Sequence, residues 1–134
     1  MSFLADIHTY WSSNSTLNGA LPATKVYTGL VPESITFPYA VIVPLALTPT
    51  FVTGSGYFGT FSFQISIFDT DPDNVESLAN TVAGQFDYKQ ISALTMSCER
   101  TDGPTFMVDP DTQQRTYHTV LTYDLLQNRT MPGA

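Results

Sequence analysis

Residues 61–86 read FSFQISIFDTDPDNVESLANTVAGQF and contain the two strongest structural signals of the chain. From Phe61 to Ile67, apolar and polar residues alternate, which is the pattern of a strand with one buried face. From Val75 to Phe86, apolar residues recur at helical spacing, which predicts an amphipathic helix directly after the strand. The apolar positions of this helix are Val75, Leu78, Ala79, Val82, Ala83 and Phe86.

The junction between these two elements is rich in aspartate, at positions 69, 71 and 73. Asp71 is placed to cap the helix, Pro72 suits its first position, and carboxylates there face the positive end of the helix dipole. The same spacing imitates the first ligands of a calcium loop. That loop needs a glycine where the chain has Asn74 and a bidentate glutamate where it has Asn80. We therefore predict helix capping and no metal.

Toward the N-terminus, the sequence predicts a short amphipathic helix. Ser2 is a candidate N-cap, and the polar residues 12–16 are expected to end the helix. Residues 18–22, NGALP, are rich in turn formers and are expected to lead into the first strand. The apolar residues of this helix are Phe3, Leu4, Ile7, Tyr10 and Trp11.

Two strands and a long turn-rich segment lie between this helix and residue 61. A short strand is predicted at 25–28 and a buried strand at 39–47. Pro44 lacks a backbone donor, so we expect a bulge or an edge position there. Residues 48–59 are rich in Gly, Thr and Pro and are predicted to be a loop, although they carry four large apolar residues. These are Phe51, Val52, Tyr57 and Phe58.

The C-terminal part predicts two more strands, at 94–100 and 117–125, each with strict alternation. The turn formers around Pro110 predict that they pair as an antiparallel hairpin with an irregular tip. Cys98 falls on the apolar side of the first of these strands. Residues 127–134 show no periodicity and are expected to form a flexible tail.

These elements predict one α+β domain spanning residues 1–134. The expected sheet is mixed or antiparallel with about five strands, and two helices pack on one of its faces. Two helices cannot cover both faces of such a sheet, so the other face is expected to be polar or covered by a partner.

Charge is scarce and unbalanced. Charged residues make up 13% of the chain, about half the usual share for a domain, and the net charge is -7. Five scattered cations cannot neutralise several phosphates, which argues against tight nucleic-acid binding. A lightly charged surface repels like neighbours weakly, which favours assembly with other protein subunits. No run approaches the apolar length of a bilayer span, and no signal peptide is predicted.

The sequence offers no catalytic constellation. His8 and His118 lack the cysteine cluster or short spacing of a zinc site. Cys98 is the only cysteine, which leaves no intrachain disulfide, and a core role is predicted for it. Gly54-Ser-Gly56 lacks the strand-to-helix context of a nucleophile elbow. We predict a non-enzymatic protein without cofactor or metal.

The order of several short phrases is similar to a known family. They are the first helix ending near Trp11, residues 25–29 (KVYTG), 37–41 (FPYAV), the strand and helix of 61–86, and 115–123. In this order the chain resembles the tail terminator, or tail-completion and tail-to-head joining, proteins of long-tailed bacteriophages and phage-like gene transfer particles. The resemblance spans nearly the whole chain and carries no invariant functional motif.

The resemblance implies a virion structural protein that caps the tail tube as a ring, expected to hold six copies, and joins the tail to the head or neck connector. The expected partners are other copies of the chain, the tail tube protein and the connector proteins. DNA would pass through an acidic lumen without specific binding, because like charges repel within a Debye length of about 8 Å. Assembly is expected in the bacterial host's cytoplasm.

The predicted interface residues are the aromatic-rich loop and the hairpin tip: Phe51, Val52, Tyr57, Phe58, Phe106 and Met107. The alternative for Phe58 and Phe106 is that their rings fold back to cap the sheet. Two other functions stay open at the level of sequence. One is a head-tail adaptor or minor tail subunit, and the other is a small-molecule-binding accessory domain that uses the concave face of the sheet.

Overall fold

The computed structural model describes residues 3–28, 36–53, 56–92, 95–109 and 116–130. In these residues one sheet has the strand order β1-β2-β3-β5-β4. Strand β1 runs parallel to β2, and all other neighbours are antiparallel. The predicted α+β architecture with a mixed sheet of five strands is confirmed. The strands are β1 (Val26–Thr28), β2 (Tyr39–Thr53), β3 (Gly56–Asp69), β4 (Thr95–Asp109) and β5 (Thr116–Thr130).

Three helices accompany the sheet: α1 (Phe3–Ser13), α2 (Ser15–Ala20) and α3 (Pro72–Phe86). The candidate cap of α1, Ser2, lies outside the described residues. The turn predicted at residues 18–22 is wrong for residues 18–20, which belong to α2, whereas Leu21 forms a bend after it. Asn14 starts this helix by accepting hydrogen bonds from the amides of Thr16 and Leu17, at 3.0 and 3.1 Å. This cap lets the chain resume a helix within two residues of the end of α1.

Helix α3 begins as predicted. The Asp71 side chain accepts a hydrogen bond from the Asp73 amide at 3.0 Å, and Pro72 occupies the first helical position. The Asp69 carboxylate is used nearby, where it accepts from the Thr70 amide at 2.7 Å and from the Asn74 side chain at 2.6 Å. Capping and turn contacts therefore account for the aspartate-rich junction. The buried residues of the helix are Val75, Leu78, Ala79, Val82 and Phe86.

The core lies between the helices and one face of the sheet. Phe3 of α1 stacks on Phe61 of β3, with ring centroids 4.9 Å apart. The Phe86 ring of α3 contacts the rings of Trp11, Phe63 and Tyr123. Both longer helices therefore pack on the same face, as predicted. The fully buried sheet residues on this face include Phe63, Ile65, Ile67, Leu121, Tyr123 and Leu125.

A small polar cluster fixes the end of α3 to the sheet. The Tyr123 hydroxyl donates to the Asp87 carboxylate at 2.8 Å, and Arg100 pairs with the same carboxylate at 3.2 Å. The Tyr88 amide donates to the Cys98 carbonyl at 2.8 Å. Cys98 itself is fully buried, which confirms its core role. Burial, followed by the negative charge of Asp87, raises the pKa of the Cys98 thiol to about 12.

The loop predicted at residues 48–59 is wrong. Strands β2 and β3 continue as a hairpin, in which Phe51 pairs with Phe58 and Val52 with Tyr57. The reason is tertiary: β3 is paired with β2 on one side and with β5 on the other. Two ladders of backbone hydrogen bonds override the local turn preference of Gly and Thr.

Pro44 in β2 behaves as predicted. The register between β2 and β3 shifts between Pro44 and Ala46, so that Leu45 is an extra residue. Within the described residues, strand β1 pairs only with Ala40, Val41 and Ile42, so Pro44 has no outer neighbour there. The bulge is confirmed, and the described strands leave Pro44 at an edge.

Strands β4 and β5 are also longer than the sequence suggests. They pair antiparallel as predicted, but β4 continues to Asp109 through two register shifts. Gly103 permits this bulge, because its φ is +89° and a Cβ would lie 2.3 Å from the Val120 carbonyl oxygen. At the other end, β5 continues to Thr130 and buries Gln127, so the predicted tail begins inside the sheet. Residues 131–134 lie outside the described residues.

Candidate assembly interface

The six residues predicted to form an interface fall into two separate groups. Phe51, Val52, Tyr57 and Phe58 form the far end of the β2–β3 hairpin, where the backbone is described and the side chains are not. Phe106 and Met107 lie within β4, at the level of Ile67 in β3. Nine residues of β3 separate the levels of the two groups, or roughly 30 Å of strand. The structure therefore does not bring them together.

Strand β4 lies at one edge of the sheet and exposes three consecutive apolar residues. Phe106 is 53% exposed, Met107 40% and Val108 48%, and we name these three residues the β4 edge patch. Their predicted place at the hairpin tip is wrong, because they are paired with β5. The exposure of Phe106 also argues against the alternative in which its ring folds back to cap the sheet. Successive residues of a strand point to opposite faces, so the patch wraps around the edge.

A shallow apolar cleft separates the β4 edge patch from the start of α3. Its volume is about 220 Å³. Small-molecule sites usually have volumes of roughly 300–1,000 Å³. The cleft is better suited to one or two side chains of a protein partner. Besides the patch, it is lined by Pro72, Val75, Glu76, Tyr117 and His118.

The opposite edge of the sheet exposes a second apolar patch. Within the described residues, β2 has no neighbour on its outer side beyond Ile42, where β1 ends. Leu45 is 50% exposed and Leu47 is 49% exposed, and we name these two residues the β2 edge patch. Sequence reasoning placed both in a buried strand. The available signal was Pro44, which already indicated that β2 lacks an outer neighbour there.

Charge is absent from the regions that carry these patches. Residues 34–68 contain no Asp, Glu, Lys or Arg, although the net charge of the chain is -7. This uncharged stretch includes all of β2 and nearly all of β3. On β4, residues 103–108 are also uncharged and lie between Asp102 and Asp109. The two exposed edges are therefore the parts of this acidic chain that another acidic chain can approach with the least repulsion.

The face of the sheet without helices has an aromatic row at one end. Neighbouring rings of Tyr27, Tyr39, Phe68 and His118 lie 6.4, 4.9 and 4.1 Å apart in that order across four strands. Toward the hairpin end the same face is polar, and Ser62 donates to Asp124 at 2.6 Å. Sequence reasoning predicted a polar or partnered face but missed the aromatic row, because the pairing of distant strands creates it.

The side chains that could bind a metal or act in catalysis, two histidines and one cysteine, make contacts within the fold. His8 contacts the Ala23 carbonyl oxygen at 3.2 Å, whereas His118 stacks on Phe68 on the other face of the sheet. Among the described residues, no group of three His, Cys, Asp or Glu side chains could hold a metal ion. None of the helices in that part of the chain is long and apolar enough to cross a bilayer. The Cys98 thiol, with its raised pKa, is poorly suited to act as a nucleophile.

The same fold occurs in a chain of a solved virion structure. The chain is similar to a chain of a solved structure titled "Virion of native gene transfer agent (GTA) particle", with a TM-score of 0.65 and 12% sequence identity. The alignment covers 93% of this chain and 95% of that chain. No protein-family model matches the sequence, and no curated protein matches it. At this identity the similarity establishes a shared fold.

The similarity to the virion chain is end to end. Because almost all of both chains is aligned, the shared unit includes the helix-covered core and the outer strands rather than a common fragment. The surface features of this chain, its two edge patches and its uncharged hairpin, thus belong to a fold that it shares with that virion chain.

Proposed function

We propose that this chain is a non-enzymatic structural protein of a phage-like particle. In this proposal it forms a ring at the top of the tail tube and joins the tail to the head or neck connector. The single observation that carries the proposal is the end-to-end similarity in fold, over 93% and 95% of the two chains, to a chain of a gene transfer agent virion. The resemblance of the sequence phrases to tail terminator proteins is what favours a position at the top of the tail tube.

The two edge patches support assembly into a ring. A closed ring needs a heterologous interface, in which one surface of each copy meets a different surface of the next. The β2 and β4 edge patches lie on opposite edges of one sheet and differ in sequence. Large exposed apolar groups at a strand edge favour association unless a partner covers them.

The charge of the chain supports a passage for DNA without adhesion. Of its five cations, Arg100 is paired with Asp87, and Lys25 donates to the backbone and hydroxyl oxygens of Thr36, each at 2.6 Å. A net charge of -7 per copy would accumulate around a ring lumen. A polyanion would then pass with little attraction to the wall.

The far end of the β2–β3 hairpin is the proposed contact with an axial neighbour, the tail tube or the connector. Its uncharged strands project beyond the level at which β1 ends, and they carry Phe51, Val52, Tyr57 and Phe58. Aromatic residues are enriched in the centres of protein interfaces, where they bury large area at low entropic cost.

Electron microscopy of particles assembled without this chain tests the proposal. Tails of uncontrolled length would support a terminator, because nothing would stop tube growth. Separate heads and tails of normal length would instead indicate the head-tail adaptor. Intact particles of normal infectivity or transfer activity would contradict a structural role.

The axial contact is tested by changing Phe51 and Tyr57 to Ser in one variant. We expect the protein to fold but to bind tail tubes at least about tenfold more weakly, as loss of two interface aromatics usually costs more than 1 kcal/mol. Pelleting of the variant with purified tubes measures the loss. The matched control changes Thr48 and Thr60 to Ser, a cross-strand pair nearer the core of the same hairpin. Equal binding by both variants would remove the hairpin end from the contact.

A further inference from the structure

We propose that neighbouring copies join edge to edge, with the β2 edge patch of one copy packed on the β4 edge patch of the next. The inference rests on the proposed self-assembly and adds the surfaces that meet. Leu45 and Leu47 of one copy would cover Phe106 and Val108 of its neighbour. Each patch is about half exposed in the single chain.

The lack of charge at both sheet edges favours a second copy of this acidic chain as the partner that binds each edge. A partner of this chain must approach a protein that has twelve acidic and five basic residues. Residues 34–68 and 103–108 are uncharged, and each contains one of the exposed patches. Contact between these two segments buries apolar surface of both copies without placing carboxylates opposite each other. A basic partner would find no anion on the β2 edge, since residues 34–68 are uncharged.

Strand direction fits the same arrangement. The antiparallel pairs β2–β3, β3–β5 and β5–β4 make β4 run opposite to β2 within one sheet. When the next copy keeps the orientation of the first, its β2 edge is presented antiparallel to β4. Antiparallel neighbours are slightly more stable per residue than parallel ones and need no connection between the copies.

Within the described residues, which do not include 29–35, strand β1 ends before the β2 edge patch and pairs with β2 only up to Ile42. If Phe106 lies opposite Leu47 of the neighbouring copy, antiparallel numbering places Val108 opposite Leu45 and Asp109, the last residue of β4, opposite Pro44. The incoming β4 edge would therefore end just beyond the part of the β2 edge that β1 occupies.

The offset between the two patches is compatible with a closed ring. Leu47 is level with Phe61 of β3, whereas Phe106 is level with Ile67, which is roughly 20 Å farther along the strand. The repeat from β2 to the next copy's β2 is four strand spacings, or roughly 19 Å. Copies at equal height then need strands inclined at about 45° to the ring axis. Strands of closed barrels are inclined by about 35–45°.

Prolines limit how many backbone hydrogen bonds such a contact can form. Pro44 and Pro49 in β2 and Pro104 in β4 each lack an amide donor. Side-chain packing must then supply most of the binding free energy of the contact. Long backbone pairings between the two strands in a wrong register are disfavoured. Edge prolines are a common protection against unselective strand pairing.

Disulfide trapping between variants that each carry one added cysteine tests the arrangement. The native Cys98 is fully buried, so the folded protein presents no reactive thiol of its own. Leu45→Cys and Leu47→Cys mark the β2 edge, and Phe106→Cys and Val108→Cys mark the β4 edge. Asn80→Cys, on the exposed face of α3, is the matched control. Cysteines whose Cα atoms lie within about 7 Å can form a disulfide.

We expect a cross-linked dimer when a β2 variant is mixed with a β4 variant and oxidised, and loss of this dimer when either is oxidised alone. A double variant should give a ladder of bands that stops at the copy number of the ring. Dimers from one variant alone would overturn the proposal in favour of a two-fold contact. Oligomers by light scattering without any β2–β4 cross-link would overturn it but leave the ring function standing. A monomer at every concentration would contradict both.

Discussion

The helix-covered face of the sheet and the two sheet edges differ in how far their apolar side chains are buried. On the covered face, Phe63, Ile65 and Tyr123 are fully buried by elements of the same chain. At the edges, Leu47 and Phe106 are about half exposed although they are as apolar as the core residues. The comparison teaches that this sequence contains more apolar surface than one copy can bury, and that the excess is placed where another chain can reach it.

The core and edge phenylalanines allow the sharpest test of this difference. Phe86→Ala should lower the free energy of unfolding by about 3–5 kcal/mol, because it removes a fully buried ring that contacts four other aromatic rings. Phe106→Ala should change it by less than about 1 kcal/mol, because the ring is already half exposed. Urea denaturation of both variants at low protein concentration measures the two effects.

For assembly, the substitution at the edge should have the larger effect and the substitution in the core the smaller one. Phe106→Ala is expected to shift the equilibrium from rings to monomers in light scattering while the monomer stays folded. A Phe106→Ala variant that unfolds like Phe86→Ala, or that assembles like the unchanged protein, would erase the distinction between core and edge.

The N-terminal cap of α3 lies where the helix-covered face meets the β4 edge, because Pro72 and Val75 of this helix line the cleft beside the β4 edge patch. Substitutions at this cap therefore test how stable the structure is at that junction. Asp71→Ala should cost about 1 kcal/mol, since it removes the acceptor for the Asp73 amide. Asp71→Asn should retain most of the stability, because an amide oxygen also caps a helix. Thermal unfolding gives both values. A rise in stability on adding calcium chloride would instead revive the calcium-loop interpretation.

Residues with a regular period could be predicted from the sequence. The alternation from Phe61 to Ile67 and the helical spacing from Val75 to Phe86 were sufficient to place β3, α3 and the face on which they meet. Pro44 was sufficient for a bulge at an edge. In each case one local physical cause determines the structure: the burial of one face, or the absence of a backbone donor.

Apart from helix α2, which the local cap Asn14 starts, the errors arose where distant pairing decides the conformation. Residues 48–59 and the bulge at Gly103 contain turn formers, yet strands elsewhere in the chain hold both segments in the sheet. The same limit applies to the candidate interface. Exposure of Phe106 and Leu47 depends on which strand lies at each edge, and strand order is not encoded in any single segment.

Rising pH should weaken the core through Cys98. Burial, and then the charge of Asp87, raise the pKa of this thiol to about 12, whereas in the unfolded chain it lies near 8.5. The unfolded chain therefore releases the proton at lower pH than the folded chain. The stabilising effect is complete below about pH 8.5 and declines as pH rises toward 12. Burial, and then the hydrogen bond to Asp87, raise the Tyr123 pKa as well, so it adds a decline of the same sign above about pH 10.

Between pH 7 and 9 the expected loss from Cys98 is less than about 1 kcal/mol, the smallest of these effects. Urea unfolding at a series of pH values measures it. Cys98→Ala should reduce the slope, whatever its cost at pH 7, whereas Ser97→Ala, on the opposite face of β4, should leave it unchanged. An equal slope in the two variants would mean that the thiol stays hydrated or ionises in the folded state. Water would then reach the covered face more easily than its fully buried side chains indicate. The covered face and the edges would differ less in exposure to solvent.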